Sequence, residues 1–447
     1  MPQLTIIGAG LSGSEAAWQA AQRGIDVTLV EMRPLRETGA HTTSRPAELV
    51  CSNSLGSNLP DRASGLLKEE LRRMGSLLIR CADETAVPAG GCLAVDREGF
   101  PARIEAELAA HPRIQLVRQE ATAIPDGPCI LASGPLTSPA LADALAAFSG
   151  AEHLFFYDAI SPIVEASSID MTLAFRASRR EQNDRDGGDY INCPMNREEY
   201  DAFVRELVAA ERIQLETFES AIEGGVRAGV HTFFEGCLPV EIIAQRGPLS
   251  LAYGPMRPVG LEDPRTGRRP FAVLQLRQDN LAGTCYNLVG FQTNLKFPEQ
   301  QRVFAMVPGL GHAEYLRFGQ MHRNTFINAP RLLRPTLQTK ARDDFFMAGQ
   351  ITGVEGYAGN IATGLLAGIN AAHLLTGRPL WEMPETTMLG SLMRYVTQAD
   401  EKDFQPMKAN FGIVPPVEMP KAGKRERAVA HMERSLADLA AFLEARK

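Results

Sequence analysis

The chain opens on a short apolar run, Leu4 to Ile7, which passes through Gly8-Ala9-Gly10-Leu11-Ser12-Gly13 into Ser14-Glu15-Ala16-Ala17-Trp18-Gln19-Ala20-Ala21. An apolar run closed by glycine predicts a buried strand, and the alanine-rich stretch predicts a helix that stops at Gly24. A second strand, Val27 to Val30, follows and ends in Glu31. Two later runs repeat the pattern. Cys129 to Ala132 leads into Ser133-Gly134-Pro135-Leu136-Thr137-Ser138, and Phe345 to Ala348 leads into Gly349-Gln350 and a glycine-rich loop that reaches Gly353. Beyond that loop, Asn360 to Leu375 is small and apolar at helical spacing. Leu66 to Met74 is predicted as a helix. Arg425 to Leu443 reads as a terminal amphipathic helix with Val429, Met432, Leu436, Leu439 and Leu443 on one face.

The opening segment carries chemistry. G-x-G-x-x-G alone is a weak signal, but here it joins a strand to a helix, and an acidic residue stands 18 positions past the last glycine. Gly8 permits the tight turn, Gly10 lets the backbone approach a pyrophosphate, and Gly13 lets helix and strand pack closely. Ala9, Leu11 and Ser12 complete the turn, the helix N-terminus offers amides to the anion, and Glu31 accepts from ribose hydroxyls. The later Gly134 loop and the Gly349, Gln350 and Gly353 loop, with the helix after it, resemble the returning segment of two-dinucleotide-fold flavoproteins. That favours FAD over NAD alone.

Residues 169–330 differ in character, with Arg/Asp-rich turns and strand-like runs such as Phe271 to Leu276 and Tyr286 to Phe291. The expected fold is therefore α/β: a Rossmann-like FAD-binding domain (1–168 and 331–447, the latter with a C-terminal helix) interrupted by an inserted α+β domain (169–330). The 447 residues suit two or three domains, and 45% hydrophobic with 22% charged residues excludes wholesale disorder. No apolar run approaches ~18 residues, and the N-terminus lacks a basic leader and cleavage site, so a cytoplasmic protein without a membrane segment is expected. A net charge of −7 argues against a polycation, so any nucleic-acid site is a local patch. The candidate cations are Arg176, Arg179 and Arg180; Arg265, Arg268 and Arg269; Arg331, Arg334, Lys340 and Arg342; and Lys421, Lys424, Arg425 and Arg427. The seven cysteines form no CxxC pair and none stands beside a histidine at metal-ligand spacing, so neither a disulfide framework nor a metal site is expected.

Two cysteines stand in unusual company. Cys51 lies in Glu48-Leu49-Val50-Cys51-Ser52-Asn53-Ser54-Leu55, and Cys237 in Phe233-Phe234-Glu235-Gly236-Cys237-Leu238-Pro239-Val240-Glu241. Cys81, Cys129 and Cys193 read as packing residues. Together with GAGLSGSEAA (8–17), GLLKEELRRMGSL (65–77), LAVDREGF (93–100), ASGPLTS (132–138), YGPMRPVGL (253–261) and AGQITGVEGY followed by ATGLLAGINAA (348–372), these strings resemble the folate- and FAD-dependent tRNA uracil-5-methyltransferases over nearly the whole chain.

The resemblance implies methylation of C5 of the T-loop uridine at position 54 of tRNA. It also implies 5,10-methylenetetrahydrofolate as carbon donor, reduced FAD as hydride donor, NAD(P)H as reductant and no obligate protein partner. It makes Cys51 and Cys237 catalytic, favouring Cys237 as attacker of uracil C6 and Cys51 beside the flavin, with the opposite assignment open. Ala358-Gly359-Asn360-Ile361 departs from the expected Val-Glu-Ser-Ala type of string, which bears on flavin or folate contacts. The chemistry agrees with such parts, because uracil C5 becomes nucleophilic once a thiolate adds to C6, and a formaldehyde-level carbon needs a hydride to become methyl. Folate-dependent methylation of a ribosomal uridine, a GidA-like wobble-uridine flavoprotein and a non-catalytic flavin sensor are the competing readings.

Overall fold

The computed structural model describes residues 2–150, 154–179, 188–213, 232–233, 238–402, 404–419 and 422–446. Five strands form one parallel sheet in the order Phe345–Met347, Cys129–Leu131, Gln3–Ile7, Asp26–Glu31, Ile114–Arg118. Their register brings Ile7 opposite both Val30 and Leu131, and Met347 opposite Leu131. The glycine loops after the first, fourth and fifth of these chain segments therefore open at the same carboxyl edge, where open α/β sheets bind ligands. The strands Cys129–Leu131 and Phe345–Met347 are buried on both faces and are therefore continuous apolar runs. Leu4, Ile6, Leu29, Ile130 and Phe345 are all fully buried.

The chain then crosses to a second layer through Leu154–Ala159 and returns through Met321–Phe326, and these two passages pair antiparallel. Between them lies a six-stranded antiparallel sheet ordered Phe175–Ala177, Tyr190–Met195, Ala272–Gln278, Cys285–Leu288, Ile163–Glu165, Tyr315–Arg317. The expected strands at 271–276 and 286–291 are present with shifted ends. The helix Arg197–Ala209, held at its start by the reciprocal Asn196–Glu199 capping box, buries Tyr200, Phe203 and Leu207 against this sheet. This layer has a hydrophobic core of its own, separate from that of the parallel sheet.

The helix after the last parallel strand begins three residues earlier than the apolar pattern predicts, at Tyr357, and runs to Leu375. It lies on the first helix, Leu11–Ala21, in the same direction. The approach is so close that a Cβ on Gly364 would stand 2.2 Å from the Ser12 carbonyl oxygen, and one on Gly368 2.5 Å from that of Ala16. Backbone faces backbone at both points.

The terminal helix, Lys424–Glu444, buries Ala428, His431, Ser435, Leu439 and Phe442. The expected apolar stripe is thus displaced by about one residue, and Met432, Leu436 and Leu443 lie at its edge. The cause is polar. Ser435 Oγ donates at 2.5 Å to the fully buried Glu70, whose carboxylate also accepts from the N–H groups of Met388 and Leu389 at the start of the helix Met388–Gln398. Among the described residues no helix is long and apolar enough to cross a membrane.

Alanine at Gly364 or Gly368 gains helix propensity of about 1 kcal/mol, yet the added methyl meets backbone that cannot yield. Each variant should be net destabilised by roughly 1–3 kcal/mol in chemical unfolding; unchanged stability would refute the close crossing.

Burial pushes the Glu70 carboxyl up from 4.5 to about 7, against the pull of its three donors. The folded state therefore binds this proton more tightly. The stabilisation is complete below about 4.5 and lost as pH rises through about 7. Unfolding midpoints at about pH 5 and about pH 8 should show Glu70→Gln losing less stability on the alkaline side than the parent, by on the order of 3 kcal/mol. Equal slopes would refute it.

Candidate dinucleotide site and the cysteine loop

The carboxyl edge of the parallel sheet holds a cleft of about 940 Å³ lined by Gly8, Gly10, Leu11, Ser12, Glu31, Gly134 and Gln350 among others. Gly8 has φ +98°, and a Cβ there would strike the Ala132 carbonyl oxygen at 2.5 Å, so only glycine closes this turn. Gly13 is pressed against Gly8, with 1.7 Å from its notional Cβ to the Gly8 oxygen. Gly10 differs. Nothing stands within 4 Å of where its Cβ would be, so the backbone faces open cleft.

Both close-packed helices start here, at Gly10 and Gly356, and neither start is capped by a side chain. Their first-turn amides and aligned dipoles make the cleft suited to a pyrophosphate. The Asn360 side chain lines the cleft, is buried, and has an Oδ1 without a hydrogen-bond partner in the protein. An acceptor in that position suits the N–H and O–H groups of a dinucleotide. The residues present thus fit FAD.

Glu31 ends its strand in the cleft wall. Its Oε2 accepts the Ala9 N–H at 3.0 Å, and its Oε1 accepts from Arg33 N at 3.0 Å and Arg33 Nε at 2.9 Å. Burial opposes its charge, but the Arg33 side chain and these N–H groups outweigh it and hold the carboxyl below its ordinary value. The anion keeps a free lone pair on Oε2 for a ribose hydroxyl. Arg33 reaches onward to Glu48 Oε2 at 3.1 Å, and Glu48 also gathers the N–H and hydroxyl groups of Thr42 and Thr43. One buried guanidinium therefore ties the nucleotide strand to the loop that carries Cys51.

That loop is fixed by three more arginines. Arg97 donates to the carbonyls of Leu49 (2.6 Å) and Cys51 (3.2 Å) while gripping Asp279 in a two-pronged pair. Arg317 donates to Val50 O at 2.6 Å, and Arg277 to Ser52 Oγ and Asn53 Oδ1, both at 2.9 Å. The Cys51 N–H donates to the hydroxyl of Tyr357, a residue of the cleft wall, at 2.9 Å. The guanidiniums of Arg97 and Arg317 are close enough to interact with the Cys51 charge, which is the electropositive setting a reactive thiolate needs. By contrast, burial pushes the thiols of Cys81, Cys129, Cys193 and Cys285 up to about 12, as befits packing residues.

Of the expected site residues, Gly8, Gly10, Leu11, Ser12, Glu31, Gly134 and Gln350 meet in one cleft. Ala9 and Gly13 support the turn from beneath. Gly349 and Gly353, at φ +87° and +82°, shape the loop that presents Gln350. Cys51 follows Val50 of the cleft wall and bonds through its N–H to Tyr357 of that wall, and Cys237 lies outside the described residues. In the Ala358–Ile361 string, Asn360 supplies the unpartnered acceptor and its carbonyl accepts from Ser12 Oγ at 2.8 Å. Sequence reasoning missed Arg33, Glu48 as a ligand of Arg33, Arg97, Arg277, Arg317 and Tyr357. Glu48, Arg97 and Tyr357 stood inside quoted motifs but carried no periodic signal.

A family model described as "Glucose inhibited division protein A" matches residues 3–379. The chain is 54% identical over 441 residues to a protein of Heliobacterium modesticaldum, covering 98% of each, and 52% identical over 442 residues to one of Anoxybacillus flavithermus, covering 99% of each. Both are named methylenetetrahydrofolate–tRNA-(uracil-5-)-methyltransferase TrmFO. Among solved structures, Aquifex aeolicus GidA in its form I crystal superposes with a TM-score of 0.68 at 16% identity, covering 99% of this chain and 78% of that one, which establishes a shared fold. With more than half its residues shared end to end with those relatives, the chain belongs to the TrmFO family, within the broader glucose inhibited division protein A family.

Proposed function

We propose that this protein is a methylenetetrahydrofolate-dependent tRNA uracil-5-methyltransferase, acting on the T-loop uridine at position 54, with FAD as cofactor and NAD(P)H as reductant. The observation that carries the reading is the junction of a dinucleotide cleft with a cysteine loop held by three arginines, in a chain sharing over half its residues with proteins so named. In this reading 1–168 and 331–447 hold the flavin, and 169–330 carries the second cysteine.

FAD bound in the cleft supplies the hydride that turns a formaldehyde-level carbon into methyl. The protein's own residues do the rest. The amides at Gly10 and Gly356 take the pyrophosphate, Glu31 the ribose, and Asn360 a donor of the cofactor. The Cys237 thiolate adds to uracil C6, moving an electron pair through the ring so that C5 bonds to the one-carbon unit. One carbon–nitrogen bond of the folate opens as C5 attacks; loss of the C5 proton then expels the folate amine through the second, leaving a methylene on C5, and arrival of the hydride at that carbon completes the methyl group as the thiolate leaves C6 and the ring double bond is restored. Cys51, fixed by Arg97 and by the Tyr357 hydroxyl, stands at the flavin edge and orders the reacting groups there. The target uridine is stacked in free tRNA, so the enzyme extrudes it.

With tRNA lacking the modification, label from methylenetetrahydrofolate plus NAD(P)H should enter 5-methyluridine at position 54, while labelled S-adenosylmethionine alone should give none. Label arriving from that donor, or in ribosomal RNA only, would overturn the assignment.

The cysteines separate in a second measurement. Cys237→Ala should keep normal flavin absorbance yet form no covalent complex with 5-fluorouridine RNA. Cys51→Ala should also lose turnover, by at least about 100-fold, and in addition shift the flavin spectrum because its loop touches the cleft through Tyr357 and Arg33. Trapping by the Cys237→Ala protein but not by Cys51→Ala would reverse the roles.

A further inference from the structure

A second cavity, about 770 Å³ and open to solvent, lies between the two layers beside the cysteine loop. It is lined by Ser57, Arg62, Cys92, Arg179, Tyr190 and Gln275 among others, and no carboxylate is among its lining residues. Gln275 stands two residues before Arg277 on one strand, on the same sheet face and about 7 Å from it. Arg277 grips Ser52 and Asn53. The cavity is thus one strand repeat from the loop of Cys51.

Its arginine is unusual. Among the described residues the guanidinium of Arg179 makes no hydrogen bond or ion pair, and its Nε is shielded from solvent with no partner. Several of the other basic groups named from the sequence have partners: Arg265 pairs with Asp263, Arg334 with Asp343 and Arg342 with Asp344, while Arg176 donates to the Tyr286 hydroxyl and Lys340 to the Pro330 carbonyl. Arg179 is further pressed by a like charge. Burial and the nearby Arg257 both weaken its hold on its proton. Arg257 itself is exposed and has no acidic partner among the described residues.

Arg257 belongs to Tyr253-Gly254-Pro255-Met256-Arg257-Pro258-Val259-Gly260, a motif with no part in the cofactor cleft. This segment packs on Arg179 so tightly that a Cβ on Gly260 would stand 2.6 Å from the Arg179 carbonyl oxygen. It presents Tyr253 at 78% exposure and Val259 at 45%. Two guanidiniums with no acidic partner among the described residues, one of them four residues along the chain from an exposed aromatic ring, suit a single-stranded nucleic acid segment: phosphodiester oxyanions for the charges and a base face for the ring.

Building on the tRNA reading above, we propose that Arg179, Arg257 and Tyr253 form an RNA-binding subsite that takes the backbone flanking the target uridine, the two arginines holding a phosphodiester and Tyr253 stacking a neighbouring base. A folate glutamate is the rival ligand for these arginines, and the KM for methylenetetrahydrofolate separates the two.

The test uses the FAD-loaded full chain and a fluorescent T-arm hairpin, with Kd measured across a range of salt concentrations. Arg179→Gln and Arg257→Gln should each weaken binding about 10-fold and reduce the slope of log Kd against log salt by roughly 0.7–0.9. Tyr253→Ala should weaken binding roughly 10-fold with the slope unchanged, since it removes stacking and no charge. Arg302→Gln, whose guanidinium is already paired with Glu206 and Glu299, should change neither.

Flavin absorbance and melting temperature equal to the parent's verify folding; Arg257 and Tyr253 are exposed, so those two variants test the idea even where Arg179→Gln folds poorly. Unchanged Kd and slope in the Arg257 and Tyr253 variants of a protein that binds and methylates tRNA would overturn the subsite alone. A raised KM for methylenetetrahydrofolate with RNA affinity intact would overturn the RNA assignment in favour of a folate carboxylate. A parent protein that neither binds nor methylates tRNA would overturn both this inference and the function it rests on.

Discussion

The close crossing of the helices Leu11–Ala21 and Tyr357–Leu375 is the constraint on which the cofactor cleft depends. Their backbones touch at Ser12 against Gly364 and Ala16 against Gly368, where any side chain larger than hydrogen would collide with a carbonyl oxygen. Because the helices run the same way, this contact sets their uncapped N-termini side by side at the carboxyl edge of the sheet. Two sets of free amides and two dipole ends then face one anion. Gly349 obeys the same limit, since a Cβ there would meet Ser12 Oγ. A chain segment more than 330 residues from the glycine turn thus becomes half of the same cradle.

A different interaction governs the seam between the two layers. Each layer has its own hydrophobic core, so their relation near the site rests on polar contacts: Arg277 and Arg317 from the antiparallel layer, and Arg97 paired with Asp279 across the boundary, all converge on five residues around Cys51. Carbonyls of an irregular loop need donors when removed from water, and guanidiniums supply them with fixed fork geometry while leaving positive charge beside a thiol. Loop order and thiol environment are therefore one device. Asn53 shows how tightly it is made, donating to Val95 O and Gln278 O while accepting from Arg277.

How legible a feature was depended on how local its cause is. The strand, glycine turn and helix at 4–21 were readable because each residue's role is satisfied within one βαβ unit, and the strands at 129–131 and 345–347 because buried parallel strands are continuous apolar runs. The terminal helix was readable as a helix but not in its orientation. Apolar spacing pointed to Val429 and Met432, whereas the buried stripe passes through His431 and Ser435, because His431 stacks on Phe411 and Ser435 is drawn to Glu70. A buried hydrogen bond to a carboxylate outweighs the burial of one more methyl-bearing side chain.

By itself, the sequence determined the parallel dinucleotide-binding layer, the break in character near its inserted second layer, and the suspicion that attaches to Cys51, since these rest on glycine positions, apolar runs and motif strings contiguous in the chain. Only the tertiary structure decided that Arg33 joins Glu31 to Glu48, that Tyr357 holds the Cys51 amide, that Arg277 and Arg317 clasp the cysteine loop, and that Arg179 has no acidic partner among the described residues. The arginine and tyrosine partners of residues 49–53 lie 46 to 306 residues away along the chain, and a charged side chain that pairs across such a distance leaves no periodic mark on the segment that carries it.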